Sequence, residues 1–142
     1  MAYKRNITFT THPKGFLIAI GGAEDKGIEE KKETIVHFHK NGTLKSLLEL
    51  ISKYDLPRIE IISTASPVPE EQAKTYKAAF KKLDCLNVGH LNIRSRAHAE
   101  NKNVLTRLQK ANCVFFTGGD QSKLCSILSG TPFLDIIKSR YH

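Results

Sequence analysis

The stretch CVFFTGGDQSKL, Cys113 to Leu124, sets a short apolar run directly ahead of two glycines and a polar, helix-starting segment. An apolar run of this length bounded by glycine reads as a buried strand turning into a helix. The pattern recurs upstream. Arg58 to Thr64 (RIEIIST) is a β-branched run ending in small polar residues, and Gly15 to Ile20 (GFLIAI) ends in Gly21-Gly22. Leu86 to Ile93 (LNVGHLNI) alternates apolar and polar residues. These are four candidate strands. Parallel strands covered on both faces read as near-continuous apolar runs, as LIAI, IEII and CVFF do.

Helical periodicity fills the intervals. Leu44, Leu47, Leu48 and Ile51 predict an amphipathic helix over Thr43 to Tyr54. Pro69 to Leu83 predicts a second, with Ala73, Tyr76, Ala79 (or Phe80) and Leu83 on one face. Ser66 or Pro67 is the expected opening of that helix, and Glu70 and Glu71 in its first turn suit the macrodipole. Val104, Leu105, Leu108 and Ala111 mark a third helix, and Ser122 to Leu128 a fourth. The sequence LSGTP reads as a helix stop at Ser129-Gly130 and a helix start at Pro132. Strands alternating with helices of this length indicate βα units and a parallel sheet.

The chain has 142 residues, the size of one domain. Apolar residues are 40% and charged residues 25%, which excludes a disordered tail, a collagen-like repeat and a disulfide scaffold. No apolar run approaches the roughly 18 residues of a membrane span, and Met1 to Thr11 lacks the apolar core of a signal peptide. Cys85, Cys113 and Cys125 form no C-x-x-C pattern, so free thiols in a reducing, cytoplasmic setting are expected. The formal charge is +8, and residues 1–14 form a basic N-terminal segment. The remaining basic residues are scattered, the run Glu29 to Glu33 carries both signs, and no aromatic platform accompanies them. A solvated basic surface is therefore expected rather than a nucleic-acid site. The histidines cluster only at His37 and His39, without a third ligand, so no metal site is expected. No P-loop, H-E-x-x-H or EF-hand pattern is present, and no serine lies in G-x-S-x-G.

In open parallel sheets, ligands bind beyond the carboxyl ends of the strands. The residues there are Gly21 to Lys26, Ser63 to Ser66, Arg94 to Arg96 and Gly118 to Ser122. Gly118-Gly119-Asp120-Gln121 is the sharpest of these. Its glycines allow close backbone approach, and the helix that follows presents amides to an anion or a developing oxyanion. A strand-to-helix turn also needs such glycines on steric grounds alone. Gly21-Gly22 is not G-x-G-x-x-G, and Glu24 and Asp25 argue against a phosphate there.

Five segments in order, IGGAEDKG (Ile20 to Gly27), IISTAS (Ile61 to Ser66), NIRSRAHAEN (Asn92 to Asn101), VFFTGGDQSKL (Val114 to Leu124) and LSGTPFLDIIKSRY (Leu128 to Tyr141), resemble the N-terminal half of cyanophycinase. That family of serine-type exopeptidases also includes the aspartyl dipeptidase peptidase E. The resemblance implies a flavodoxin-like α/β fold, similar to class I glutamine amidotransferases, with residues 1–142 as the N-terminal part of a larger domain. It implies hydrolysis of cyanophycin, a poly-aspartate bearing arginine branches, to β-Asp-Arg dipeptides, with no metal and no organic cofactor. In this resemblance Gly118, Gly119 and Asp120 belong to the loop offering an oxyanion amide, Gln121 binds the dipeptide end of the substrate, and Lys123 lies near the same pocket. Ser63 and Asn92 stand where the family pattern has proline and aspartate. The family's G-T-S-A-G elbow is expected roughly ten residues beyond His142, with its histidine and acidic partner later still. No catalytic nucleophile is therefore expected within this chain, which by itself should be inactive and poorly stable. The partners expected are a peptide-like substrate and a second copy in a homodimer, with no nucleic acid and no membrane. An aspartyl-dipeptidase-like enzyme and a non-catalytic assembly partner are the alternatives.

Overall fold

A computed structural model describes residues 13–21, 26–28 and 38–142. Three strands form, β1 (Ile59–Ile62), β2 (Val88–Leu91) and β3 (Cys113–Phe116). They lie parallel in the order β2-β1-β3, with Ile59 opposite both Val88 and Cys113. Among the described residues they are accompanied by the helices α1 (Thr43–Ile51), α2 (Pro69–Lys82), α3 (Arg96–Ala99), α4 (Lys102–Lys110), α5 (Gln121–Leu128) and α6 (Pro132–Tyr141). The sequence of βα units thus produces the expected parallel sheet flanked by helices.

Alternation along each strand divides the core in two. Ile59, Ile61, Cys113 and Phe115 face α1 and α2, where they join Leu44, Leu47, Tyr76 and Phe80. The Phe115 ring packs at 4.7 Å from that of Tyr76 and 5.6 Å from that of Phe80. Ile62, Leu91 and Val114 face the other way, against Leu108 of α4, Leu128 of α5 and Phe133 of α6. The same parity carries Glu60 into the second layer, fully buried. Its carboxylate accepts hydrogen bonds from Arg58 (2.8 and 3.0 Å) and from Arg107 of α4 (2.7 and 3.2 Å). Gly89, its register partner on β2, leaves room for this cluster: a Cβ there would sit 2.2 Å from Glu60 Oε2.

Several boundaries differ from the expected ones. α1 stops at Ile51 rather than Tyr54, closed by the Ser52 hydroxyl donating to the Glu49 carbonyl at 2.7 Å. α2 begins after Val68, not at Ser66 or Pro67. Ser66 instead accepts a hydrogen bond from the Val68 amide, shaping the turn ahead of the helix. Gly130 has φ of +66° and Pro132 opens α6, as LSGTP predicts. Cys85 and Cys113 are free thiols raised by burial, and Cys113, with Cys85 nearby, is pushed up to about 11. Neither is a ready nucleophile at neutral pH.

The fourth expected strand, Gly15 to Ile20, does not form. That stretch is irregular, and Phe16 and Leu17 are exposed. A strand exists only in a ladder, and between this segment and β3 lies an open groove instead of hydrogen bonds. Apolar composition supplied the strand's side chains but not its partner. The calls on residues 1–12, on Gly22 to Asp25, on Glu29 to Glu33 and on His37 fall outside the described residues. His39 is exposed, its ring edge-on to Phe38. Among the described residues no helix is long and apolar enough to cross a membrane.

Candidate functional site

β1 is the central strand, and its two neighbours are reached through opposite layers. The chain leaves β1 toward α2 on one face and leaves β3 toward α5 on the other. The carboxyl ends of β1 and β3 therefore flank the place where connections diverge, where open α/β sheets bind ligands. Two loops meet there. Ser63 to Ser66 turn back through a hydrogen bond from the Ser66 amide to the Ser63 carbonyl at 3.0 Å. Gly118 to Asp120 lie over that turn, with the Asp120 amide donating to the Ala65 carbonyl at 2.9 Å.

This contact explains Gly119. Its φ is +148°, and a Cβ would sit 2.2 Å from the Ala65 carbonyl oxygen and 2.8 Å from the Ser66 nitrogen. Gly118 meets no such neighbour, since an added Cβ would have nothing within 4 Å. Steric need and ligand access are thus divided between the two glycines.

Asp120 caps α5. Its carboxylate accepts from the amides of Ser122 (2.8 Å) and Lys123 (3.2 Å), so these two helix donors are already engaged. Among the described residues no hydrogen bond engages the amides of Gly118 and Gly119. Gln121 is exposed and Lys123 half-buried at the same loop. Ser95 and Arg96, at the end of the β2 unit, serve the scaffold. Ser95 caps α3, and the Arg96 guanidinium donates to the Ser129 carbonyl at 2.7 Å.

The structure connects residues that no motif links. Ser63 Oγ lies 2.6 Å from His90 Nε2, and His90 Nδ1 lies 3.6 Å from the Glu70 carboxylate. Glu70 in turn accepts from the Asn92 side-chain amide at 2.5 Å. In the tautomer with its proton on Nδ1, toward the Glu70 carboxylate, Nε2 accepts from the Ser63 hydroxyl. The string has the order of a serine–histidine–carboxylate triad, but Ser63 is fully buried, so it orients the Ser63 to Ser66 turn rather than attacking a substrate. Around it, Thr64 Oγ1, Asn92 Oδ1 and Thr117 Oγ1 are buried without a hydrogen-bond partner among the described residues. All three follow strands at their carboxyl ends. Buried polar atoms are normally paired, so their concentration here marks a place where hydrogen-bonding capacity is held ready.

Burial holds the His90 imidazole below its ordinary value of 6.5, against the opposing pull of Glu70. The unfolded chain then binds the proton more readily than the folded one. Stability should be unaffected by His90 above about pH 6.5 and should fall as pH drops below it. Urea midpoints measured between about pH 5 and 7.5 should show this slope. His90→Asn should flatten the part of the slope that begins near pH 6.5, and an unchanged slope would remove His90 as its source.

Residues 17–142 match the model of peptidase family S51. The cyanophycinase of Trichormus variabilis is 34% identical over 127 residues, covering 89% of this chain and 39% of its own. That of Synechococcus elongatus is 32% identical over 132 residues (90% and 37%). That of Geminocystis herdmanii is 31% identical over 125 residues (87% and 41%). The chain spans about two fifths of the length of these relatives. A peptidase from an acI-B1 Actinobacterium superposes with a TM-score of 0.59 at 24% identity, over 68% of this chain and 42% of that one, a likeness of fold. With the family model spanning nearly the whole described fold, including the Gly118 to Lys123 loop, the chain belongs to peptidase family S51.

Proposed function

We propose that this chain is part of a cyanophycinase-like serine-type peptidase that releases β-Asp-Arg dipeptides from cyanophycin in a reducing, cytoplasmic setting. In this reading it supplies the substrate-side wall of the active site. Gly118 and Gly119 offer amides to the oxyanion, Asp120 fixes their loop by capping α5, and Gln121 and Lys123 reach the dipeptide end of the substrate. The nucleophile, its histidine and its acidic partner come from outside residues 1–142, so the chain alone binds without hydrolysing. No metal or organic cofactor takes part in the scheme. The observation that carries the reading is the set of unpartnered polar groups (Thr64, Asn92 and Thr117) at the carboxyl ends of three strands, beside the open Gly118 and Gly119 amides. A peptide ligand is rich in complementary donors and acceptors.

The test is a titration of β-Asp-Arg dipeptide into the isotope-labelled chain, followed by amide NMR. Shifts should concentrate on Gly118 to Lys123 and on Thr64. Gln121→Ala should weaken binding by about three- to tenfold, the loss of one hydrogen bond, without moving the urea midpoint. Incubation of the chain with cyanophycin should release no β-Asp-Arg. Shifts confined to another face, or release of dipeptide by the pure chain, would overturn the proposal.

A further inference from the structure

His90 lies on β2 opposite Ile61 of β1, and its side chain is only 9% exposed. Its two ring nitrogens face different groups. The Ser63 hydroxyl is 2.6 Å from Nε2, and the Glu70 carboxylate is 3.6 Å from Nδ1. Glu70 is 71% exposed and, as a carboxylate, only accepts. A proton on Nδ1 meets it favourably, whereas a lone pair there opposes it. Ser63 is fully buried and can donate to Nε2. Lys77 of α2 and Arg107 of α4 oppose a positive charge on the ring, and Glu70 and Glu60 favour one. Burial decides that balance against the charged form. His98, at the same end of the sheet, is engaged elsewhere, its Nδ1 accepting from the Arg94 amide at 3.2 Å.

Ser63 stands at the root of the turn that carries the glycine loop. Its carbonyl accepts from the Ser66 amide at 3.0 Å, and the Ala65 carbonyl accepts from the Asp120 amide at 2.9 Å. Gly119 lies so close over Ala65 that a Cβ would not fit between them. A continuous run of contacts thus leads from His90 through Ser63 and Ala65 to the backbone of Gly118 to Asp120. β1 ends at Ile62, so the turn lies beyond the strand and can shift while the sheet stays paired.

We propose that His90 is a positioning residue for the Gly118 to Asp120 loop, holding it through Ser63 while the imidazole is neutral and releasing it when the ring takes up a second proton. This role deepens the peptidase reading, on which it rests for what the loop does, by making the oxyanion side of the site sensitive to pH. The proton comes from solvent and occupies the Nε2 lone pair. Ser63 can then no longer donate to that nitrogen, and its buried hydroxyl proton loses its acceptor, at the cost of an unsatisfied donor. The imidazolium is drawn the other way, toward the exposed Glu70 carboxylate, which Asn92 holds through its side-chain amide at 2.5 Å. Both effects loosen the Ser63 to Ser66 turn beneath the loop. Burial keeps the ring neutral to below its ordinary 6.5, so the loop stays seated at neutral pH and is released below that value.

The experiment follows amide exchange and imidazole nitrogen NMR of the ligand-free chain between about pH 5 and 7.5, with the intrinsic pH dependence of exchange divided out. At the upper end His90 should carry its proton on Nδ1. As the ring titrates, the Asp120 amide should lose about five- to tenfold more protection than the Thr117 amide, which donates to Ile62 and reports opening of the sheet. Ser63→Ala leaves the ring free to titrate but cuts the connection, so the Asp120 amide should sit at its low-pH protection throughout. Glu70→Gln removes an anion that favours the charged ring, so the Asp120 midpoint should move to lower pH together with that of the ring. A purely structural His90 would give no such displacement. Circular dichroism checks that both variants remain folded, and the wild-type profile depends on neither. A proton on Nε2 at the upper end, Asp120 protection that tracks Thr117, a pH profile that survives Ser63→Ala, or a midpoint unmoved by Glu70→Gln would each overturn the proposal. No dipeptide is present in these measurements, so a failure here and a failure of the dipeptide titration are read separately.

Discussion

Arg107→Met is expected to destabilise the chain by about 3 kcal/mol, and more than Glu60→Leu does. The asymmetry follows from where each charge can go. Glu60 is fully buried in the middle of the central strand, so its carboxylate cannot reach water when a partner is lost. Arg58 and Arg107 have side chains 30% and 39% exposed, and their guanidiniums can swing outward once Glu60 is gone. Removing an arginine leaves a buried charge with half its hydrogen bonds; removing the carboxylate leaves two cations that resolvate. Replacing a buried ionic cluster by apolar groups is often neutral or stabilising. Adding Glu60→Leu to Arg107→Met should therefore restore most of the lost stability. Urea midpoints of the wild type, both single variants and the double variant test this. A larger loss for Glu60→Leu than for Arg107→Met would show that the ion cluster holds α4 to the sheet by its net attraction.

Glu60 also shows how far the sequence could be read. RIEIIST was legible as a strand because β-branched residues dominate it. IEII reads as a near-continuous run covered on both faces, which leaves its glutamate without an account, and only the register reveals that Gly89 makes room and Arg107 arrives from α4. The strands at 59–62, 88–91 and 113–116 and the helix at 69–82 were legible because their patterns are local. Gly15 to Ile20 was misread for the converse reason: its composition is that of a strand, but pairing is a property of the neighbours. In the site, Gly118 to Asp120 could be found from a strand followed by glycines and a helix. Ser63 stands among the strand-end residues, but its string with His90 and Glu70 could not be found, because the three come from different elements and meet only through the pairing of β1 with β2. Thr64, Asn92 and Thr117 likewise look like ordinary strand ends until burial shows them unpartnered.

Gly119→Ala is expected to damage fold and site together, whereas Gly118→Ala should leave the fold intact. At Gly119 a methyl group would enter the Ala65 carbonyl oxygen at 2.2 Å while holding a φ of +148° that L-residues rarely adopt. The obstacle is backbone, not the flexible end of a side chain, so it cannot turn aside. Relief requires the loop to lift from the Ser63 to Ser66 turn, which breaks the hydrogen bond from the Asp120 amide to the Ala65 carbonyl. Strain of this kind costs about 1–3 kcal/mol, and the lost hydrogen bond adds about 1 kcal/mol. The displaced loop would also carry the Gly118 and Gly119 amides away from Thr64 and Thr117. The alanine at 119 should lower the urea midpoint and abolish the dipeptide-induced shifts at Gly118 to Lys123. The alanine at 118, with open space around its Cβ, should keep the midpoint within experimental error. Its effect on dipeptide binding then reports ligand access alone. Equal midpoints for the two variants would mean that the loop does not rest on Ala65 in solution, and the oxyanion role assigned to its amides would lose its geometric basis.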